Sequence, residues 1–296
     1  MILPIPNRTP NEIGTTIYKL IQLSQIVNNS QDEEIIVDFT NTDFLHCIFI
    51  SGLFCLIKTW RANGKTVKVI MGDSPISSYF STIQFENGFD IVRDPELINS
   101  LPEYNSKRYT PLVVFPLTGN TREYCVSTVL DVIHNQTNIK GTFKMAVDYM
   151  VSELTNNIAD HSEAGFGVIF AQTYVNKGYI DISIVDNGIG VFNSYQKSEV
   201  FNPKDEAEAI AMAVNGRSTK DLPESRGFGI STSKAIIVKA LGGIFLMWSG
   251  QTIFIETRES PNILKVDEGA SYKGCFLSLR LPLNSQNNFN LYDFIG

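Results

Sequence analysis

The sequence predicts an α/β protein of two units, the second carrying a mixed sheet. Three observations lead there. Across the first hundred residues, short apolar runs suited to strands alternate with longer runs of helical period. From residue 165 a strand-like run turns back on itself at Asn176-Lys177-Gly178, and three further strand-like runs close the chain. The length, 296 residues at 43% hydrophobic and 19% charged, gives material for two ordinary cores, at a prior of about 150 residues per domain.

The elements follow in chain order. EIIVDF (34–39) is a short buried strand, SGLFCLIKTWRANGK (51–65) an apolar helix stopped by Gly64, and TVKVIMG (66–72) a second strand. SPISSYFSTIQFENGF (74–89) opens on a Ser-Pro helix signal. RDPELINSLPEYNSKRYTP (93–111) mixes Pro, Asn, Ser and charge without period, and reads as a connection. That divides the chain into a unit over 1–98, a linker over 99–110, a second unit over 111–285 and a tail over 286–296. The second unit opens with the strand PLVVFPL, then two helices near 119–135 and 140–161, then the hairpin. A polar stretch over 191–225 reads as a long irregular loop, the usual form of a functional lid. GFGISTSKAIIVKALGG (227–243) is a helix with glycines at both ends, and GIFLMWSG, TIFIETR and CFLSLRLPL are strands.

Composition narrows the function. Net charge is −7 with no dense Lys/Arg run, which argues against nucleic acid as a partner. Cys47, Cys55, Cys125 and Cys275 are scattered, without metal-site spacing, and read as reduced thiols. The N-terminus MILPIPNRTP has no signal pattern, and the longest apolar run, residues 44–57, is too short to span a bilayer. The expectation is a cytoplasmic protein with no membrane partner.

The chemistry concentrates in three places. In FKMAVDYMVSELTNNIADHSE (143–163), Val147, Met150, Val151, Leu154 and Ile158 form an apolar face, and Glu153, Asn157 and His161 line up along its edge. In DISIVDNGIG (181–190) a strand ends in Asp186, followed by Gly188 and Gly190. In NGRSTKDLPESRGFGIST (215–232), Ser218, Thr219 and Lys220 occupy a loop, with Arg226, Gly227, Phe228 and Gly229 at a helix start. Each suits a nucleotide held with Mg²⁺. An Asn carbonyl oxygen fits a hard ion whose other ligands are waters and phosphates. A carboxylate one turn earlier can act as general base. An Asp at a buried strand end can accept from the amine of adenine. Gly188 and Gly190 permit positive φ and close approach to the base. Glycines at a helix start expose amides to anions, with Lys220 adding charge. His161 either faces the ligand or caps its helix, and Arg217 and Arg226 either contact phosphate or lie on the surface.

These motifs resemble those of the GHKL ATPases, the superfamily of gyrase, heat-shock chaperone, histidine kinase and mismatch-repair ATPases. ELTNNIADHS is similar to its N-box, DNGIG to its first glycine box, and STKDLPESRGFGIS to its lid and second glycine box, over residues 110–283. The resemblance implies a Bergerat-type α/β sandwich, a mixed sheet covered by helices on one face. It makes Glu153 the base, Asn157 the Mg²⁺ ligand and Asp186 the adenine reader. Lys220 and the Gly227–Phe228–Gly229 amides fall to the phosphates, and Thr219 and Arg226 are counted with them among the nucleotide-binding residues. His161 is as in anti-sigma-factor serine kinases and several histidine kinases. Where the family closes on Gly-Thr, this chain has Gly274-Cys275.

The first unit, IIVDFTNTDFLHCIFISGLFCLIKTWRANGKTVKVI (35–70), resembles a STAS domain. The acceptor serine of that family is replaced in register by His46-Cys47-Ile48-Phe49, with Ser51 just downstream. The pattern implies a docking or regulatory module that is not itself phosphorylated. Together the two resemblances imply an ATP- and Mg²⁺-dependent regulator similar to anti-sigma serine kinases, acting on a STAS-like or sigma-factor-like protein. The competing expectation is an ATP-driven switch or slow ATPase that phosphorylates no protein. A homodimer is among the assemblies left open.

Overall fold

A computed structural model describes residues 1–198, 201–217, 229–284 and 289–295. The N-terminal unit is a parallel three-stranded sheet, β1 (Ile2–Pro4), β2 (Glu34–Asp38) and β3 (Thr66–Ile70), in the order β1-β2-β3. Its helices are α1 (Ile13–Asn28), α2 (Cys47–Ala62) and the short α3 (Ser77–Thr82). From Cys47 to Ile57 every residue of α2 is buried, as an all-round apolar helix must be. Helix α2 packs on β3 and α1 and, from its other side, on the second unit. The fit is close at Gly52, where a Cβ would meet Leu20 at 2.2 Å and Phe276 at 3.2 Å.

The second unit holds β4 (Phe89–Asp90), a 3-10 helix (Pro95–Tyr104), β5 (Val113–Phe115), α4 (Asn120–Thr137) and α5 (Gly141–His161). The hairpin β6 (Gly167–Tyr174) and β7 (Tyr179–Asp186) follows, then α6 (Gly190–Gln196) and α7 (Glu206–Val214). Next come α8 (Gly229–Ala235), prolonged by a π turn over Ile236–Ala240, and β8 (Ile244–Gly250), β9 (Thr252–Glu256) and β10 (Pro261–Lys265). The long β11 (Tyr272–Pro282) and a last turn, α9 (Tyr292–Ile295), complete it. The eight strands run β10-β9-β8-β11-β7-β6-β5-β4, antiparallel except for the β4–β5 pair, so the sheet is mixed as expected.

Alternate residues of each strand serve opposite faces. Ile169, Ala171, Ile182, Ile184, Met247 and Leu277 join a core with α4, α5 and the π turn. Val168, Phe170, Val185, Leu246, Trp248 and Phe276 join a second core with α1 and α2 of the N-terminal unit. One helical layer therefore covers the expected face, and the N-terminal unit covers the other. A buried polar cluster sits in this second contact. Arg280 on β11 donates to both oxygens of Asp181 on β7 at 2.8 and 3.0 Å and to the Asn11 carbonyl at 2.9 Å. The ring of His46, at the start of α2, stands 3.2 Å from the guanidinium and 3.3 Å from Asp181. Burial holds that imidazole neutral, at a pKa of about 3, with the positive charges of Arg280 and Lys177 adding to the effect.

Two stretches carry more structure than their composition suggested. Within 93–111, the 3-10 helix buries Ile98, Leu101 and Tyr104 in the same core as β4 and β5. The polar stretch 191–225 contains α6 and α7. The sequence did mark α7: Asp205 caps it by accepting from the Glu208 amide at 2.9 Å, and the Glu208 carboxylate accepts from the Lys204 amide at 2.7 Å. The pair is close to a capping box, with the Glu208 carboxylate taking the amide one residue before the N-cap.

Candidate functional site

The site is assembled where α5, the ends of β7 and β11, and the starts of α6 and α8 converge. On α5, Val147, Met150, Val151, Leu154 and Ile158 are at most 3% exposed and fix the helix against the sheet. That anchoring leaves Glu153, Asn157 and His161 half-buried along its edge. Asn157 and His161 line a pocket of about 100 Å³. Glu153 lies one turn back, beside the start of α8. A Cβ at Gly229 would fall 2.6 Å from a Glu153 carboxylate oxygen and 3.2 Å from the Asn157 amide, so a side chain there would turn these two groups aside.

Asp186 ends β7 at the pocket, 1% exposed. One oxygen accepts from the Gly188 amide at 2.7 Å, while Oδ2 is buried with no hydrogen-bond partner among the described residues. Burial pushes the carboxyl up to about 7, against the opposing pull of the Gly188 and Cys275 amides. The Asn157 amide nitrogen is likewise buried and unpaired. Two unsatisfied polar groups in one small pocket are costly to leave so, and point to a ligand that pairs them.

The two glycines after Asp186 answer different demands. Gly190 holds φ +78, where a side chain would be strained. Gly188 is not left-handed, which corrects the expectation of positive φ at both. It is needed for closeness, because a Cβ there would lie 2.0 Å from the Ser162 carbonyl at the end of α5. The Ile189 amide donates to that carbonyl at 2.7 Å, tying the turn to the helix.

Gly274 (φ +105) sits in an irregularity of β11, and a Cβ on it would lie 2.2 Å from the Asp186 carbonyl. Cys275 follows it and lines the pocket, with burial pushing its thiol well up and keeping it protonated.

Several residues in and beside the pocket carried no motif. Ser249 on β8 accepts from the Val191 amide at 2.9 Å and donates to the Gly274 carbonyl at 2.7 Å, joining the turn after Asp186 to β11. Tyr272 donates to the Asp186 carbonyl at 3.2 Å from the N-terminal side of the sheet. Tyr195 lines the pocket, and its hydroxyl donates to the carbonyl of Arg217, which the sequence left between phosphate contact and surface and which lines the pocket too. A lone serine or tyrosine in a strand gives a sequence reader no signal. Thr219, Lys220, Arg226, Gly227 and Phe228 lie outside the described residues.

Among the described residues, no three His, Cys, Asp or Glu side chains gather into a metal cluster. A divalent ion here would rest on the Asn157 amide oxygen and on phosphate oxygens, the sparse protein ligation that suits Mg²⁺. No helix among the described residues is long and apolar enough to cross a membrane.

Residues 144–285 match the family described as histidine kinase-, DNA gyrase B- and HSP90-like ATPase. The match opens in α5 and runs to the end of β11, and so takes in the whole pocket. The chain thus contains an ATP-binding domain of the GHKL superfamily, in which ATP usually binds with Mg²⁺. No curated protein matches the chain.

Proposed function

We propose that the protein is a regulator that binds Mg²⁺-ATP in this pocket and acts through a protein partner, in the manner of the anti-sigma serine kinases it resembles. The observation that carries the reading is Asp186: a buried carboxylate with one oxygen fixed by a glycine amide and the other unpaired. Adenine's exocyclic amine would supply that missing donor. Bound with Mg²⁺, ATP would supply a transferable phosphoryl group. Asn157 would hold the ion, and Glu153, one turn earlier and beside Gly229, would accept the proton of the attacking hydroxyl or water. The Gly229 end of α8 and the preceding Thr219, Lys220, Arg226, Gly227 and Phe228 would take the phosphates, and His161 would border them.

The acceptor would come from a separate molecule. His46-Cys47-Ile48-Phe49, which stands where a STAS domain carries its phosphorylated serine, is buried at the back of the sheet. Ser51 is fully buried there and donates to the Cys47 and Ile48 carbonyls at 3.1 and 3.2 Å. This burial favours a docking or regulatory role for residues 1–98. It also supports the second reading, an ATP-driven switch that releases phosphate only to water.

Calorimetry with ATP, with and without Mg²⁺, tests the site on the wild type and Asp186→Asn. The reading expects magnesium-dependent binding that the variant loses; no binding to the wild type overturns it. Radiolabelled ATP incubated with STAS-like proteins then separates the two functions, through label on a partner serine or phosphate released only to water.

A further inference from the structure

A second cleft, of about 560 Å³, opens at the opposite end of the large sheet. On β6–β7 the nucleotide pocket lies by the Gly167–Asp186 pair and the cleft by the Tyr174–Tyr179 pair, some seven residues or roughly 24 Å along the strands. Its walls come from both units: the loop before α2, the start of α3, the loop before β5, and the β6–β7 turn.

The lining has a definite chemistry. Tyr79 and Tyr109 meet edge to face with centroids 4.8 Å apart, and Tyr174 stacks on the neutral His46 ring at 4.6 Å. The Tyr79 and Tyr174 hydroxyls both donate to the Gln172 side-chain oxygen, at 3.1 and 3.2 Å, which holds these rings in place. Arg108 and Lys177 stand at the cleft and enter no ion pair among the described residues. The acid that faces them, Asp43, lies 3.4 Å from Arg8. In a chain of net charge −7, this is a locally positive, aromatic-walled cleft of ligand size.

We infer that this cleft is a second ligand site, for a small organic anion built on a planar ring. The ring would pack among the tyrosines, and Arg108 and Lys177 would pair its charge. This site stands apart from the nucleotide pocket, and either assignment can fail without the other.

The test is calorimetry of the full chain with 4-hydroxybenzoate as probe and its neutral isostere 4-hydroxybenzamide, repeated with ATP present. The acid should bind at least about tenfold more tightly than the amide, and Arg108→Gln/Lys177→Gln should weaken it about tenfold or more. Both substituted side chains are exposed, so the fold should survive, as circular dichroism would confirm. Asp186→Asn should leave this binding unchanged. The inference is overturned by no binding of the acid up to about 10 mM, by equal binding of the amide, by unchanged affinity in the double variant, or by displacement with ATP that Asp186→Asn abolishes.

Discussion

Asp186 sets a conflict between stability and binding that a single substitution exposes. Its carboxyl titrates at about 7 in the folded chain against an ordinary 3.8. Between those values the folded state keeps a proton that the unfolded chain has lost. The stabilisation is therefore complete below about pH 4 and disappears as pH rises through about 7. Asp186→Asn removes that penalty while keeping the shape, so without ligand it should be more stable than the wild type near pH 8, by on the order of 2 to 4 kcal/mol. Thermal melts across pH would read this, with the two proteins converging near pH 4. The same variant should lose nucleotide binding, since an amide nitrogen would face the donor that the carboxylate accepts. Gly229→Ala attacks the site from another side. With the Glu153 carboxylate and the Asn157 amide in its path, the new methyl should turn those groups out of place, and ATP affinity should fall at least about tenfold. Wild-type affinity in that variant would show that binding does not need their present positions.

Among the elements, the join between the turn after Asp186 and β11 depends on one hydroxyl. Ser249→Ala would strand the Val191 amide and the Gly274 carbonyl, at a cost of about 1 to 3 kcal/mol. Because Val191 lines the pocket and Gly274 precedes Cys275, which also lines it, ATP affinity should drop with stability, while Ser249→Thr should retain most of both. A melt and a titration on each variant check the pair. Ser249 also shows where sequence reading stops. Glu153, Asn157, His161, Asp186 and the glycines were legible because they recur at spacings that a helix stripe or a strand end converts into proximity. The Ser249 contacts span 58 residues to Val191 and 25 to Gly274, and nothing local in MWSG announces them. Helix α7 was legible in principle through Asp205 and Glu208, but its alanine-rich face is a weak apolar signal. The alternating strands of the second unit read easily. The 3-10 helix over 95–104 did not, because Pro102 inside it and the Asn, Ser and acidic residues between them hide the three-residue spacing of Ile98, Leu101 and Tyr104 as core residues.

At the scale of the molecule, the two units share a core, and along its central strands neither face of the large sheet is left to water, whereas the edge strand β10 is exposed. Removing residues 1–86 would uncover Val168, Phe170, Val185, Leu246, Trp248 and Phe276 together. An apolar surface of that extent drives association. Residues 87–296 expressed alone should therefore aggregate, or bind a hydrophobic dye strongly, and co-expression with residues 1–86 should restore a soluble, monodisperse complex. A monodisperse, dye-silent fragment would show that the sheet does not need its N-terminal cover. The polar cluster in this contact gives a sharper measurement. Asp181 is fully buried, and Arg280 supplies its two strongest bonds. Arg280→Met would leave that carboxylate without its partner, at a cost of about 3 to 5 kcal/mol. Arg280→Met with Asp181→Leu removes both charges and should recover most of the loss. Denaturant unfolding of the wild type, both single variants and the double variant completes the cycle. A double variant no more stable than Arg280→Met would mean that the shape of the cluster, rather than the pairing of its charges, holds the N-terminal unit against the ATP-binding sheet.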